Sequence, residues 1–159
     1  MFTLLITFLA SFLIWFMFAG LVVHWFIDGK IKKEQAFHAF IAVLIAWAAS
    51  EMIKTLYPEQ RPFLITGEKP LTFTLPLDGG FPSQHTAAAF ALAVTLWLHD
   101  KKIGLFYLVA ALAIGIGRVL SNVHTPVDVL VGSILGSCVA YLFEKLHLYN
   151  FLSGKRNKT

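Results

Sequence analysis

Residues 2–27, FTLLITFLASFLIWFMFAGLVVHWFI, contain no aspartate, glutamate, lysine or arginine. A helix that crosses a bilayer needs about 20 mainly apolar residues. A secretory signal peptide would have a basic start and a shorter apolar centre, whereas nothing basic precedes this longer run. We therefore interpret residues 2–27 as a retained membrane span, which makes the chain a membrane protein.

The composition of the whole chain agrees with that interpretation. Apolar residues make up 57% and charged residues 14% of the 159 positions, against about 45–50% and about 25% in soluble domains. A chain of this length cannot bury so much apolar surface in its own interior, so part of that surface must face lipid. The composition excludes a disordered chain and predicts a single membrane-embedded domain over residues 1–159. One cysteine, Cys138, excludes an internal disulfide, and its apolar surroundings predict a buried thiol.

Four further apolar segments follow the first. They are expected as spans at about 36–57, 83–98, 103–121 and 126–146, with a polar loop at 28–35 and a tight turn at 99–102. Residues 58–82 contain five of the six prolines and predict a long irregular segment with room for a short interfacial helix. The predicted fold is an all-α membrane bundle of about five transmembrane helices, with a long extracytoplasmic loop between helices two and three.

The basic residues predict the orientation of this bundle. Five spans put the termini on opposite sides, with nine basic residues on the side of the C-terminus and four on the other. Cytoplasmic loops carry the excess of lysine and arginine, so the C-terminus is expected in the cytoplasm. Because these charges are scattered in short loops, they favour contact with membrane lipids over nucleic acid. The nine are Lys30, Lys32, Lys33, Lys101, Lys102, Lys145, Lys155, Arg156 and Lys158, and the four are Lys54, Arg61, Lys69 and Arg118.

Three polar strings fall on the predicted outer side. They are KTLYPEQRP at 54–62, FPSQHTAAAF at 81–90 and GRVLSNVHTPVDV at 117–129. Each has a plain structural explanation when taken alone. The basic residues of the first could reach toward lipid headgroups, the second could cap a helix, and Thr125 to Asp128 reads as a capping sequence. Because all three strings come from distant parts of the chain and fall on the same side, we predict that they form one functional site.

The residue types in these strings suit a multiply charged oxyanion. Arginine presents fixed pairs of donors that match phosphate oxygens, and the N-terminus of a helix binds anions through its free amides. A neutral imidazole can attack phosphorus, and a carboxylate can orient it. The sequence has no HExxH motif, no paired cysteines and no run of carboxylates, so neither a metal nor a cofactor is expected.

The spacing of these residues resembles the type-2 phosphatidic acid phosphatase superfamily, membrane phosphatases that share a phosphate site with vanadium haloperoxidases. The family pattern has three parts, K-x6-R-P, P-S-G-H and S-R-x5-H-x3-D. They are matched by Lys54, Arg61 and Pro62, then by Pro82, Ser83 and His85, then by Arg118, His124 and Asp128. Gln84 stands in the glycine position and Gly117 in the serine position. Members commonly have six spans, one more than predicted here.

The resemblance implies a role for each matched residue. His124 would be the nucleophile that forms a phosphohistidine, Asp128 would orient it, and His85 would be the general acid for the leaving oxygen. The phosphate would be bound by Lys54, Arg61 and Arg118, helped by Ser83 and by the backbone N–H of Gln84. The Gln84 side chain would either narrow the pocket or add a donor, and Gly117 would remove one supporting hydroxyl.

The resemblance also implies a lipid phosphate substrate and a bacterial plasma membrane. Undecaprenyl diphosphate is favoured, while phosphatidylglycerol phosphate, phosphatidic acid and lipid A phosphates stay open. Two other functions use the same residues: a lipid phosphotransferase that passes the phosphoryl group to another acceptor, and a non-enzymatic module that binds anionic lipid. Membrane lipids are the expected partners, and no nucleic acid or obligate protein partner is expected.

Overall fold

The computed structural model describes residues 1–26 and 29–146. Six helices account for most of these residues, and neither described range contains a β-strand, which confirms the all-α fold class. The helices are α1 Phe2–Phe26, α2 Gly29–Leu56, α3 Pro62–Thr66, α4 Gln84–His99, α5 Lys101–Leu120 and α6 Pro126–Lys145. Four of them, α1, α2, α5 and α6, are long and apolar enough to cross a membrane.

The third of the five predicted spans corresponds to α4, a helix at the centre of the bundle that is shorter than the four spanning helices. Its 16 residues rise about 24 Å, less than the ~30 Å of a hydrocarbon core. It packs against α2, α5 and α6 and buries an alanine-rich set of side chains. The small side chains allow close approach, since a Cβ added at Gly136 of α6 would lie 2.1 Å from the carbonyl oxygen of Ala87. This approach sets the first turn of α4 beside the first turn of α6.

The outer surface of the bundle is apolar. Large side chains such as Trp15, Phe106 and Ile134 are more than half exposed, as expected for helices that face lipid. Cys138 is also exposed, so the prediction of a buried thiol was wrong. Apolar residues lie on all sides of α6, but only one side of this helix faces the interior. An apolar sequence around Cys138 therefore does not show that its thiol is buried.

Two predicted connections are shorter than the sequence suggested. The expected polar loop at 28–35 is helical from Gly29 onward and forms the start of α2, because lysine, glutamate and glutamine are good helix formers. Asp28 lies outside the described residues. The expected turn at 99–102 contracts to Asp100, whose Oδ1 accepts the backbone N–H groups of Lys102 at 2.9 Å and Ile103 at 3.1 Å. Asp100 therefore ends α4 and caps α5.

Candidate active site

Lys54 and Arg61 come together through a bend in the chain. The α2 helix ends at Leu56, and Arg61 has an extended backbone, with φ −73° and ψ 148°, just before α3. Pro58 and Pro62 flank this bend. Proline interrupts helical hydrogen bonding, so α2 does not continue through it. The sequence left open a continuous helix or a bend, and the bend is what the structure has. Both side chains are almost fully buried.

Asp78, from the end of the long loop, receives both of these cations. The Lys54 ammonium donates to Oδ2, while Arg61 donates from Nη2 to Oδ1 at 2.7 Å and from Nε to the Asp78 carbonyl at 2.9 Å. Burial alone would raise the pKa of the Asp78 carboxyl, but the hydrogen bonds and charges of Lys54 and Arg61 lower it to about 2. The carboxylate therefore stays ionised and accepts hydrogen bonds from both Lys54 and Arg61.

Asp78 was missed by sequence reasoning. It precedes Gly79 and Gly80, and such a string reads as a turn without any indication of a site. The available signal was the excess of cations on this side of the bundle, which a buried cluster must balance with an anion. Nothing in the sequence says which of the loop carboxylates does so.

His124 lies in the turn between α5 and α6, with its Nε2 between two guanidinium groups. Nε2 is 3.2 Å from Nη1 of Arg61 and 3.3 Å from Nη2 of Arg118. Guanidinium nitrogens can only donate, so Nε2 must be an acceptor and the ring proton must be on Nδ1. Burial lowers the pKa of His124 to about 4, and the two arginine charges act in the same direction, against the neighbouring Asp128. The ring is therefore neutral at pH 7.

Asp128 faces the other nitrogen of the same ring. Its Oδ2 is 3.5 Å from Nδ1 of His124, and it accepts the backbone N–H of Thr125 at 2.7 Å. Thr125 Oγ1 in turn accepts the backbone N–H of Asp128 at 3.2 Å, which completes a capping box. The carboxylate thus caps α6 and faces the imidazole at once. Among the residues that the structure describes, Nδ1 of His124 and Oδ1 of Asp128 have no hydrogen-bond partner.

Arg118 is held in place by the first helix. Its Nη1 donates to the carbonyl oxygen of Ala10 at 3.1 Å, within the π-helical turn Phe8–Phe12 of α1. The adjacent Gly117 makes this possible, since a Cβ there would lie 2.7 Å from Cβ of Leu9 and 2.9 Å from the backbone nitrogen of Ala10. The glycine that departs from the family pattern is therefore the surface on which α1 packs.

Ser83 and Gln84 open α4 beside this cluster. The backbone N–H of Ser83 donates to the carbonyl oxygen of Asp128 at 3.0 Å, and its hydroxyl pairs with that of Thr86 at 2.9 Å. Ser83 is thus at the predicted capping position, but its side chain does not cap the helix backbone. The Gln84 side chain donates from Nε2 to Glu51 at 2.6 Å.

His85, in the first turn of α4, borders two cavities. One cavity, of about 430 Å³, is also lined by Arg118 and by residues of α1 and the long loop. The other, of about 300 Å³, is apolar and lies between α1 and α2, against Trp15, Phe40 and Trp47. His85 makes no hydrogen bond within the part of the chain that the structure describes. Its ring therefore separates a cavity that reaches the cations from one that suits a hydrocarbon chain.

The long loop and the turn that carries His124 support each other. The N–H of Phe63 donates to the carbonyl oxygen of Asn122, and the N–H of Leu71 to that of Ser121, both at 3.0 Å. The side chain of Asn122, which has the positive φ of 60° that asparagine tolerates, donates to Thr66 at 2.8 Å. The position of the imidazole thus depends on the loop as well as on the helices.

Three motifs from distant parts of the sequence therefore meet at one end of the bundle. Arg61, Arg118 and Asp128 surround the imidazole of His124, while Lys54 joins this cluster through Asp78 and Ser83 joins it through the backbone. The sequence profile of the PAP2 superfamily matches residues 35–152, which include all of these positions. The chain belongs to the PAP2 superfamily.

Two bacterial and one archaeal relative show how this PAP2 chain compares in sequence. It is 33% identical over 129 residues to the bacitracin transport permease protein BcrC of Bacillus licheniformis, 27% over 123 to the undecaprenyl-diphosphatase BcrC of Bacillus subtilis, and 30% over 114 to the undecaprenyl-diphosphatase of Sulfolobus acidocaldarius. These matches cover 81%, 77% and 71% of this chain, and 64%, 63% and 55% of the relatives. The PAP2 chain thus spans less than two thirds of their length.

Two crystal structures have the same fold as this PAP2 chain. Aquifex aeolicus LpxE superposes with a TM-score of 0.73 at 26% identity, covering 91% of this chain and 84% of that one. A PAP2-type phosphatidylglycerolphosphate phosphatase from Bacillus subtilis superposes with a TM-score of 0.61 at 20% identity, covering 92% and 70%. The second likeness shows the fold alone.

Proposed function

We propose that this protein is an integral membrane lipid phosphatase that works through a phosphohistidine on His124. The observation that carries the proposal is the position of Nε2, an unprotonated nucleophile between the guanidinium groups of Arg61 and Arg118. A phosphoryl group held by those two groups has its phosphorus next to the attacking nitrogen. Positioned donors of this kind also stabilise the charge that develops in phosphoryl transfer.

The substrate phosphate binds where the carboxylate of Asp78 lies in this structure. Lys54 and Arg61 bond to that carboxylate, and the same donors suit phosphate oxygens. The Asp78 side chain is 40% exposed, so it can turn toward water once phosphate oxygens replace it as the partner of the two buried cations. A phosphate dianion brings more charge and more acceptor oxygens to the cations than one carboxylate does, so it displaces Asp78.

The reaction proceeds in two displacements. His124 Nε2 attacks phosphorus, the N–P bond forms and the bond to the leaving oxygen breaks. His85, which takes up a proton when the phosphate dianion lies beside it, donates that proton to the leaving oxygen. Water then attacks the phosphohistidine, the now neutral His85 accepts the proton of the water, and inorganic phosphate is released as the N–P bond breaks. Asp128 stabilises the positive charge that the imidazole carries while it is phosphorylated.

The lipid tail enters the apolar cavity beside His85, between α1 and α2. We favour undecaprenyl diphosphate as the substrate, because relatives from Bacillus subtilis and Sulfolobus acidocaldarius are named undecaprenyl-diphosphatases. The nine-to-four distribution of basic residues supports an extracytoplasmic site and a cytoplasmic C-terminus. No metal enters the proposed steps.

Phosphate release by the detergent-purified protein tests this proposal. The assay uses undecaprenyl diphosphate, phosphatidylglycerol phosphate, phosphatidic acid and a lipid A phosphate, each with EDTA present. We expect release to be fastest with undecaprenyl diphosphate and to be lost in His124→Ala and His85→Ala. Release that needs added metal would contradict the mechanism. A phosphorylated lipid product would identify a transferase, and equal behaviour of wild type and His124→Ala would identify a non-enzymatic lipid-binding protein.

A further inference from the structure

A second cluster of polar side chains lies at the end of the bundle opposite His124. It consists of His38 on α2, His99 on α4 and Glu144 on α6. Glu144 is 18 residues beyond Pro126, which is about 27 Å along α6, and His99 is 14 residues beyond His85, about 21 Å along α4. These distances separate the cluster from the phosphate site by most of the membrane thickness.

The three side chains converge on one carboxylate oxygen. Nδ1 of His38 is 2.6 Å and Nε2 of His99 is 2.9 Å from Oε1 of Glu144. These ligand atoms all lie within 4.8 Å of one another. The side chains of His38 and Glu144 are 4% and 15% exposed, while that of His99 is 23% exposed. The cluster is therefore mostly enclosed and is reached from solvent past His99.

We propose that His38, His99 and Glu144 bind one divalent transition-metal ion, with zinc as the ion that fits best. Two imidazole nitrogens and one carboxylate oxygen form a ligand set that zinc accepts, with a fourth position left for water. Ligand atoms about 2.1 Å from a tetrahedral metal are roughly 3.4 Å apart. The two contacts of Glu144 would thus open by less than 1 Å, a movement that rotation of its carboxylate supplies.

The setting of the cluster also suits a bound ion. A partly buried carboxylate is stabilised by a positive partner, and a bound divalent ion would supply one to Glu144. The ring of His38 is held edge-on by Phe143, at 5.5 Å between centroids and 88° between planes, so its Nδ1 has a fixed direction. A bound ion would join α2, α4 and α6 at the end where their basic flanks lie, far from the phosphate chemistry.

Zinc binding by the full-length chain tests this proposal. The protein is purified in detergent without a polyhistidine tag, stripped with a chelator, dialysed against defined free zinc and analysed for metal by mass spectrometry. We expect one zinc per chain in the wild type. Glu144→Gln and His99→Gln should each weaken binding at least about 100-fold, because even indirect partners of a metal ligand cost about 10- to 100-fold.

His24→Gln is the matched control, since it removes a histidine near the same end that bonds to Gln35 at 3.1 Å and is not in the cluster. It should bind zinc as the wild type does. Gel filtration and thermal midpoints measured without zinc check that each variant is folded, and zinc should raise the midpoint of the wild type but not that of Glu144→Gln. Wild type without saturable binding, or variants that bind as wild type does, would overturn the proposal. Phosphate release plays no part in this test, so its outcome is independent of the proposed phosphatase activity.

Discussion

Nη1 of Arg61 lies 3.2 Å from Nε2 of His124, and the same guanidinium reaches the carboxylate of Asp78 at 2.7 Å. One side chain therefore joins the proposed nucleophile to the proposed anion site. Because the guanidinium can only donate, it also fixes the ring proton of His124 on Nδ1, toward Asp128. The tautomer of the attacking imidazole therefore follows from this contact.

The two histidines should differ in their response to the leaving group. His85→Gln should lower phosphate release from a lipid phosphate monoester such as phosphatidic acid about 100-fold or more, because the alkoxide leaves without a proton. With an activated aryl phosphate, whose leaving group needs no proton, most of that loss should disappear. His124→Gln should be inactive toward both substrates, as measured by initial rates of phosphate or phenolate release.

If His85→Gln lost the same fraction of its activity toward the lipid phosphate and the aryl phosphate, the result would contradict a general-acid role. Ser137→Ala is the control for protein preparation. Among the described residues its hydroxyl bonds only to the backbone of its own helix, at 2.7 Å from the Ser133 carbonyl oxygen.

The protein should become less stable as the pH is lowered, because His124 is buried in its neutral form. Its pKa is about 4 in the folded protein and about 6.5 in an unfolded chain, so between these values the unfolded state binds more protons. The free energy of unfolding is therefore undiminished above pH 6.5 and decreases as pH falls toward 4, by up to about 1.4 kcal/mol per pH unit. His124→Asn should remove this part of the dependence in thermal unfolding followed by circular dichroism.

The same series of midpoints in Ser137→Ala, which removes no titratable group, should keep the slope of the wild type. Parallel curves for wild type and His124→Asn between pH 4 and 6.5 would mean that the imidazole titrates normally in the folded protein.

Asp78→Asn should increase the affinity for phosphate. The substitution keeps the size of the side chain but removes the charge that competes for Lys54 and Arg61. An intramolecular hydrogen bond contributes about 1 kcal/mol net, so without the charged competitor KM should fall by roughly fivefold, with kcat within about twofold. Inhibition by inorganic phosphate should strengthen in parallel.

Glu68→Gln removes a different exposed carboxylate of the same loop and should leave both constants unchanged. A KM that rises in Asp78→Asn would show that the carboxylate orients the cations and does not compete with phosphate.

Gly136→Ala should destabilise the bundle. The added methyl group would lie 2.1 Å from the carbonyl oxygen of Ala87 and 2.9 Å from the nitrogen of Ala91, both of them backbone atoms of α4. Such overpacking costs about 1–3 kcal/mol, and backbone atoms leave little room to yield. Chemical unfolding in detergent measures this loss, and Gly79→Ala, whose methyl group would come no closer than 3.7 Å to its neighbours, should be nearly neutral.

Local physics explains what the sequence could predict. The uncharged run of α1 and the Thr125–Asp128 capping box are set by neighbouring residues, so their patterns are visible in the chain itself. The family resemblance added the pairing of distant motifs, which no local pattern contains. The prediction of one membrane domain over residues 1–159, like the orientation of the bundle, stays a prediction.

What the sequence could not predict depends on tertiary packing. Asp78 reaches the cations because the loop folds back over the bundle, and loop paths are not encoded by periodicity. The cluster of His38, His99 and Glu144 joins three segments in which each residue alone looks incidental. The exposure of Cys138 likewise follows from which side of α6 meets its neighbours.

Gly117 has a consequence for engineering by family consensus. Restoring the serine of the family pattern would place its Cβ 2.7 Å from Leu9, where α1 crosses, and would push that helix outward. The carbonyl oxygen of Ala10, which anchors Arg118 at 3.1 Å, would move with it. A substitution chosen to improve the pocket would thus loosen its arginine, so the first helix and position 117 must be redesigned together.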